Sequence, residues 1–226
     1  REREILEQDA LGREDLVYLL KTDKEEALAL YEKAEQVKKD VVGRKTYFRG
    51  LLEFSNICAK NCYYCGIRRG NGKTERYFMS EEDVLDQVKY AIDNHFASVV
   101  LQSGERTDKK FTQQVQHLLE RIAKLAEGKE IGITLSMGEQ SRETFENWFK
   151  AGANRYLIRI EASNEELYHK LHPNDTIHDY HRRLETIKTL QDIGYQTGTG
   201  VMIGLPFQTY EDLADDLLFM KNNDID

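Results

Sequence analysis

The chain has 226 residues, of which 40% are hydrophobic, 10% aromatic and 32% charged, enough apolar material for a core and too much for a disordered tail. Its formal charge is −8, from 32 basic and 40 acidic residues, which disfavours a nucleic-acid binder. No apolar run approaches the roughly 18 residues of a membrane span, and the opening Arg1–Ala10 has none of the pattern of a signal peptide.

Residues 1–45 read as a charged helical segment. Asp23 to Glu26 resembles a capping box, and Ala27, Leu28, Leu30, Tyr31, Ala34 and Val37 recur at helical spacing behind it. After Gly43 the texture changes, and Tyr47–Phe54 reads as a buried strand. An alternation follows: a helix from Ser80 to about Asn94, a strand at Ala97–Gln102, a helix at Phe111–Glu127 with Val115, Leu118, Leu119 and Ile122 on one face, and a strand at Ile131–Ser136. A helix from Ser141 through Trp148, a strand at Asn154–Glu161, a helix at His178–Ile193, a strand at Thr197–Ile203 and a helix from Thr209 to Asn222 complete it. Phe145 and Trp148 are expected in the core.

Strand and helix alternating in this way predict parallel βα units, and short apolar strands suit a sheet covered on both faces. Polar and acidic residues gather after the strands, at Ser103–Glu105, Ser136–Glu139, Glu161 and Gly204–Pro206, where a β/α barrel places its chemistry. The expected fold class is therefore α/β, with residues 46–226 forming the barrel domain after the helical segment 1–45. A closed eight-unit barrel takes about 250 residues, so five units ending at Ile225–Asp226 read as a barrel cut short, a complete open sheet being the alternative.

All three cysteines, Cys58, Cys62 and Cys65, fall in one eight-residue window after the first strand. Nothing distant is left to bridge, so a disulfide framework is excluded and a reducing compartment, the cytoplasm, is expected. Three thiolates on one loop suit an iron–sulfur cluster or zinc. Structural zinc wants a fourth ligand, and the nearest histidine downstream is His95; three ligands leave one metal position open for chemistry.

The C-x3-C-x2-C spacing, with Tyr64 just before the last cysteine, resembles the signature of the radical S-adenosylmethionine (SAM) superfamily. The resemblance implies a (β/α)8 barrel and a [4Fe–4S] cluster on the three cysteines, whose fourth iron chelates SAM so that an electron cleaves it to methionine and a 5′-deoxyadenosyl radical. It also implies that Tyr64, Gln102 and the Ser103-Gly104-Glu105 element hold the cofactor, Glu105 suiting the SAM ammonium. Glu161 would accept the ribose hydroxyls, Gly200 and Met202 would line adenine, and Arg183 would pair with the SAM carboxylate. Helical order alone cannot choose between Arg183 and its neighbour Arg182, and no catalytic side chain beyond the cluster ligands is assigned.

Longer strings, including Leu101–Glu105 (LQSGE), Thr134–Glu139 (TLSMGE) and Gly194–Pro206 (GYQTGTGVMIGLP), resemble the HydE family of [FeFe]-hydrogenase maturases. Biotin synthases (sulfur insertion) and methylornithine synthases (a mutase reaction) share the architecture and are the alternatives within the superfamily. The resemblance implies a small organometallic or amino-acid-derived substrate held by Thr134, Ser136, Glu139 and Arg159, a ferredoxin or flavodoxin as electron donor, and other hydrogenase maturases as partners. Arg159 paired with Glu161 or Glu139 is the structural alternative, and Arg106–Lys110 departs from the family pattern. A non-catalytic iron–sulfur or zinc carrier is the alternative of another class. The basic run Arg68, Arg69, Lys73 and Arg76 reads as a solvated loop or a docking site for an acidic partner, and His169 with His172 as a weak metal candidate.

Overall fold

Parallel strands need a crossover between them, and the amphipathic helices supply it. The computed structural model describes residues 1–25, 27–129 and 131–226; the capping box expected at Asp23–Glu26 ends on Glu26, outside the described residues. Strands β1 (Arg49–Ser55), β2 (Ser98–Ser103), β3 (Gly132–Ser136), β4 (Arg155–Leu157) and β5 (Gln196–Gly198) form one parallel sheet in the order β1-β2-β3-β4-β5. Strictly sequential order is that of a β/α barrel wall; a doubly wound sheet reverses its order partway. All five C-terminal ends consequently lie along one edge.

Local signals start the intervening helices. Ser80 caps α4 (Glu81–Asp93) by accepting from Asp83 N–H, Asp108 caps α5 (Lys109–Leu125), Ser141 caps α6 (Arg142–Lys150), and Asp179 caps α8 (Tyr180–Ile193), which stops at Gly194 in the left-handed conformation. A short helix, α7 (Glu165–Leu171), precedes α8. The apolar face of α5 is buried at Phe111, Val115, Leu118, Leu119 and Ile122, and Phe145 and Trp148 of α6 are core residues.

Two strands are shorter than expected. The fourth ends at Leu157 and the fifth at Gly198, because the Thr199 side chain intrudes between them. Its hydroxyl accepts from Ile160 N–H at 3.1 Å and donates to the Ile158 carbonyl at 2.7 Å, replacing backbone-to-backbone bonds. Pairing resumes where Glu161 N–H donates to the Gly200 carbonyl at 3.0 Å, and Glu161 there takes a positive φ of 67°. The interruption turns this segment from ladder into site.

By internal contacts the chain divides into two units, residues 47–161, 168–200 and 225–226 with the sheet, and residues 1–46, 162–167 and 201–224. The second holds α1 (Glu2–Leu6), α2 (Arg13–Leu20), α3 (Ala27–Val41) and α9 (Tyr210–Asn222). Ile5, Leu6 and Leu19 form its small core, and Arg13 with Asp215 and Lys21 with Glu211 tie α2 to α9. The helical spacing in α3 is as expected, yet Leu28, Tyr31 and Val37 remain exposed.

Candidate functional site

The segment after β1 carries the three cysteines, and polar side chains give it a shape that helix or sheet hydrogen bonding cannot. Asn56 brackets its ends, donating to the Glu75 carbonyl at 2.7 Å and accepting from Tyr77 N–H at 2.9 Å. Arg76, expected as part of a solvated basic run, instead donates to the carbonyls of Asn56, Ile67, Arg68 and Asn71 at 2.7–3.3 Å. One guanidinium thereby satisfies four backbone acceptors.

Cys58, Cys62 and Cys65 are free and half-buried. Burial pushes the Cys58 thiol up and the Cys62 thiol up to about 11. Against this loop lies Gly104, where an added Cβ would sit 2.5 Å from the Ile57 carbonyl oxygen and 2.7 Å from Cys58 Cβ. Glycine is required there by close approach, and Ala59 N–H bonds to the Glu105 carbonyl at 2.8 Å across the same contact.

Behind the loop is a buried charge cluster. Lys60, between the first two cysteines, places Nζ 3.1 Å from Glu105 Oε1 and 3.2 Å from Glu139 Oε2, and also donates to the Ile177 carbonyl. Arg183 Nε donates to Glu139 Oε1 at 2.7 Å, one terminal nitrogen donates to the Arg159 carbonyl at 2.6 Å, and the other lies 3.8 Å from Glu105. Gly138, at a φ of +73°, leaves room for the Glu105 carboxylate, which would collide with any Cβ there. Burial alone raises a carboxyl pKa. For Glu139 the Arg183 and Lys60 charges outweigh burial and hold it below its ordinary value; for Glu105, whose Arg183 contact is longer, burial prevails and the pKa is raised.

Of the residues expected to hold cofactor, the structure brings Tyr64, Gly104, Glu105, Glu161 and Arg183 close to the cysteine loop. Tyr64 interacts with both Cys62 and Glu161. Among the described residues, Glu161 Oε2 is a buried acceptor with no hydrogen-bond partner, and burial raises its pKa. Arg183 is buried, whereas Arg182 is half-exposed with its Nε 3.4 Å from Glu139 Oε2. The Glu105 carboxylate and the Arg183 guanidinium are engaged with charged groups of the chain itself. Ser103 Oγ donates to the Gly104 carbonyl at 2.8 Å, Gln102 reaches outward to Glu53 at 3.1 Å, and the Gly200 carbonyl is taken by Glu161 N–H. Met202 belongs to the other unit, its carbonyl accepting from Gln208.

The four residues expected around substrate do not form one group. Thr134 lines a cavity of about 260 Å³ with Arg155, Tyr156, Gln196 and Thr199, and its buried hydroxyl has no partner among the described residues. Ser136 ends β3 half-buried. Glu139 is saturated by cations, and Arg159, half-exposed, pairs with Glu161 at 3.4 Å, the structural alternative raised above. Sequence reasoning gave Lys60 and His178 no part in the site and read Arg76 only as one of a basic run. Lys60 had the one available signal, a lysine inside the cysteine spacing.

The residues fit a polynuclear sulfur-bound cluster with a nucleoside-bearing ligand: three thiols on a rigid loop, a glycine pressed against it, and an orphaned buried carboxylate oxygen suited to hydroxyl donors. Among the described residues, no three His, Cys, Asp or Glu side chains converge as a single metal ion would require.

Comparison with known proteins agrees. The model of the radical SAM superfamily matches residues 52–220. The HydE subunit of the [FeFe]-hydrogenase maturase from Thermotoga maritima is 41% identical over 199 residues, 88% of this chain and 55% of that protein. The 3-methylornithine synthase of Methanosarcina acetivorans is 26% identical over 223 residues, 98% of this chain and 62% of that protein. In three dimensions the crystal structure of methylornithine synthase (PylB) superposes with a TM-score of 0.88 at 24% identity, covering all of this chain and 65% of that one. The chain thus spans little more than half the length of these curated relatives.

Proposed function

This chain belongs to the radical SAM superfamily, and from that premise we propose that it is the cluster- and SAM-binding part of an enzyme that matures [FeFe]-hydrogenase. The observation that carries the reading is the three-thiol loop held rigidly against Gly104 and the orphaned Glu161 carboxylate oxygen. Cys58, Cys62 and Cys65 would ligate a [4Fe–4S] cluster. When bound, cluster and SAM together supply one-electron cleavage of the sulfonium to methionine and a 5′-deoxyadenosyl radical.

The chain's own residues bind and orient. Backbone carbonyls around Ser103–Glu105 take the SAM ammonium, since the Glu105 carboxylate already faces Lys60 and Arg183. Glu161 Oε2 takes a ribose hydroxyl, which supplies the partner it lacks. Arg183 and Lys60 neutralise Glu105 and Glu139 beneath the cluster loop and keep that loop dry and fixed. Thr134 and the cavity it lines are the place for a small substrate. Identity of 41% to the maturase against 26% to the methylornithine synthase supports the maturase over the mutase or sulfur-inserting reaction. Among the described residues no helix is long and apolar enough to cross a membrane. A cluster on free thiols wants a reducing compartment, the cytoplasm, and an external one-electron donor of the ferredoxin or flavodoxin kind.

Anaerobic reconstitution followed by dithionite and SAM tests the reading. The protein should yield 5′-deoxyadenosine and Cys62→Ser should yield none. An iron-loaded protein that makes no 5′-deoxyadenosine would be a carrier, and a colourless zinc protein would refute the cluster itself.

A further inference from the structure

One further stretch of chain grips the cysteine loop, running from Tyr168 in α7 to His178 just before α8. Tyr63 N–H donates to the Leu171 carbonyl at 3.0 Å, and Asn61 N–H donates to His178 Nε2 at 2.9 Å. The Tyr64 hydroxyl meets His172 Nε2 at 3.2 Å, and Lys60 Nζ reaches the Ile177 carbonyl. The two residues before Cys62 and the two after it are therefore all bonded to this one stretch.

The geometry also sets the tautomers. His172 Nδ1 faces the Tyr168 carbonyl at 2.8 Å, which only accepts, so the proton is on Nδ1 and Nε2 is left to accept from Tyr64. His178 Nε2 faces a backbone N–H, which only donates, so its proton is on Nδ1, toward Asp175 Oδ1 at 2.6 Å. His178 thus bridges an acceptor and a donor, which only the neutral imidazole can do, and His172, set between the Tyr168 carbonyl and the Tyr64 hydroxyl, is kept neutral by burial, which lowers its pKa to about 4. Both are 2% exposed, with centroids 5.9 Å apart. His172 is further fixed by stacking on Tyr168 at 4.0 Å and by the Tyr64 ring edge-on at 5.4 Å.

We propose that His172 and His178 are positioning residues for the cluster, two neutral imidazoles that aim Cys62 by holding the backbone before it and the aromatic side chain after it. The inference rests on the reading of the loop as a [4Fe–4S] site. A phenylalanine at either position keeps an aromatic ring but strips the acceptor, taking from Asn61 N–H its partner in one case and from the Tyr64 hydroxyl its His172 contact in the other. A glutamine at 178 keeps an acceptor, and Tyr64→Phe deletes the His172 contact from the other side.

The test uses the full-length protein, reconstituted anaerobically, as wild type, His172→Phe, His178→Phe, His178→Gln and Tyr64→Phe. Cluster loss to an iron chelator is followed by visible absorbance, the reduced cluster by electron paramagnetic resonance with and without SAM, and folding by circular dichroism. The phenylalanine variants at 172 and 178 should fold yet lose cluster roughly tenfold faster or more, with an altered SAM-induced spectral change. His178→Gln should recover most of the retention, and Tyr64→Phe, which also loses the contacts to Cys62 and Glu161, should be at least as impaired as His172→Phe. Wild-type retention and spectra in the folded phenylalanine variants would overturn the proposal, as would a glutamine variant no better than phenylalanine. Should the histidine-to-phenylalanine variants fail to fold, Tyr64→Phe decides, and wild-type behaviour there overturns it. A wild-type protein that takes up no cluster would sink the functional reading itself; a loaded wild type with indifferent variants sinks only this inference.

Discussion

Helices α2 and α9 carry Arg13 against Asp215 at 2.5 Å and Lys21 against Glu211 at 2.9 Å; behind the cysteine loop, Lys60 and Arg183 face Glu105 and Glu139. Each of these sets is two cations and two carboxylates, the second joined from its half-exposed rim by Arg182, 3.4 Å from Glu139. In the first, all four side chains are 40–50% exposed, while in the second none of the four exceeds 12%. Water and salt screen the exposed pairs, whose charges stay solvated whether or not they touch. The buried four have no such recourse, so each depends on the others and the group behaves as a unit. Distance is therefore a poor guide here, since the 2.5 Å pair on the surface matters less than the 3.1 Å pair inside.

The largest effect that can break this contrast is expected from Glu139→Gln. It strips the carboxylate shared by Lys60 and Arg183 and should cost about 3–5 kcal/mol in urea denaturation. A carboxylate held below its ordinary pKa contributes stability in full above the unfolded value, about 4.3, and loses it as pH falls through the lower folded value. Wild type should thus lose stability more steeply than Glu139→Gln as pH falls below that value.

Glu105→Gln sharpens the contrast from within the network. Folding favours the protonated form of Glu105, whose pKa is raised by burial, so its ionisation works against stability as pH rises through the folded value. A glutamine oxygen still accepts from Lys60. The loss at neutral pH should be about 1 kcal/mol or less, and an equal cost for both variants would show that the two carboxylates are interchangeable. The smallest effect belongs to Arg13→Ala and Lys21→Ala, for which thermal denaturation should give a Tm unmoved within error. A clear drop there would erase the distinction between the regions.

Much of the fold was legible in the residues. Helix starts were readable because capping is local, a side chain bonding to an N–H three residues on, as at Ser80, Ser141 and Thr209. The cysteine loop was readable for the same reason, its three thiols lying within eight residues. The lengths of β4 and β5 were not, because they turn on where the Thr199 hydroxyl sits, and apolar composition carries no trace of that. Nor was the enclosure of Glu105 and Glu139, whose partners are brought to them by sheet order.

The amino-acid order alone determined the alternation of strands and helices and the presence of a three-thiol loop, because periodicity, caps and cysteine spacing act over a few residues. Only the tertiary structure decided that Arg183 is buried where Arg182 stays half-exposed, that Lys60 is a buried fastener and Arg76 a half-buried one, and that His172 and His178 meet the loop at all. Those outcomes depend on contacts 44–117 residues apart for Arg183, His172 and His178. For Lys60 and Arg76 they depend on which carboxylates and carbonyls the folded chain leaves within reach. Desolvation then makes each such group accept the partner at hand.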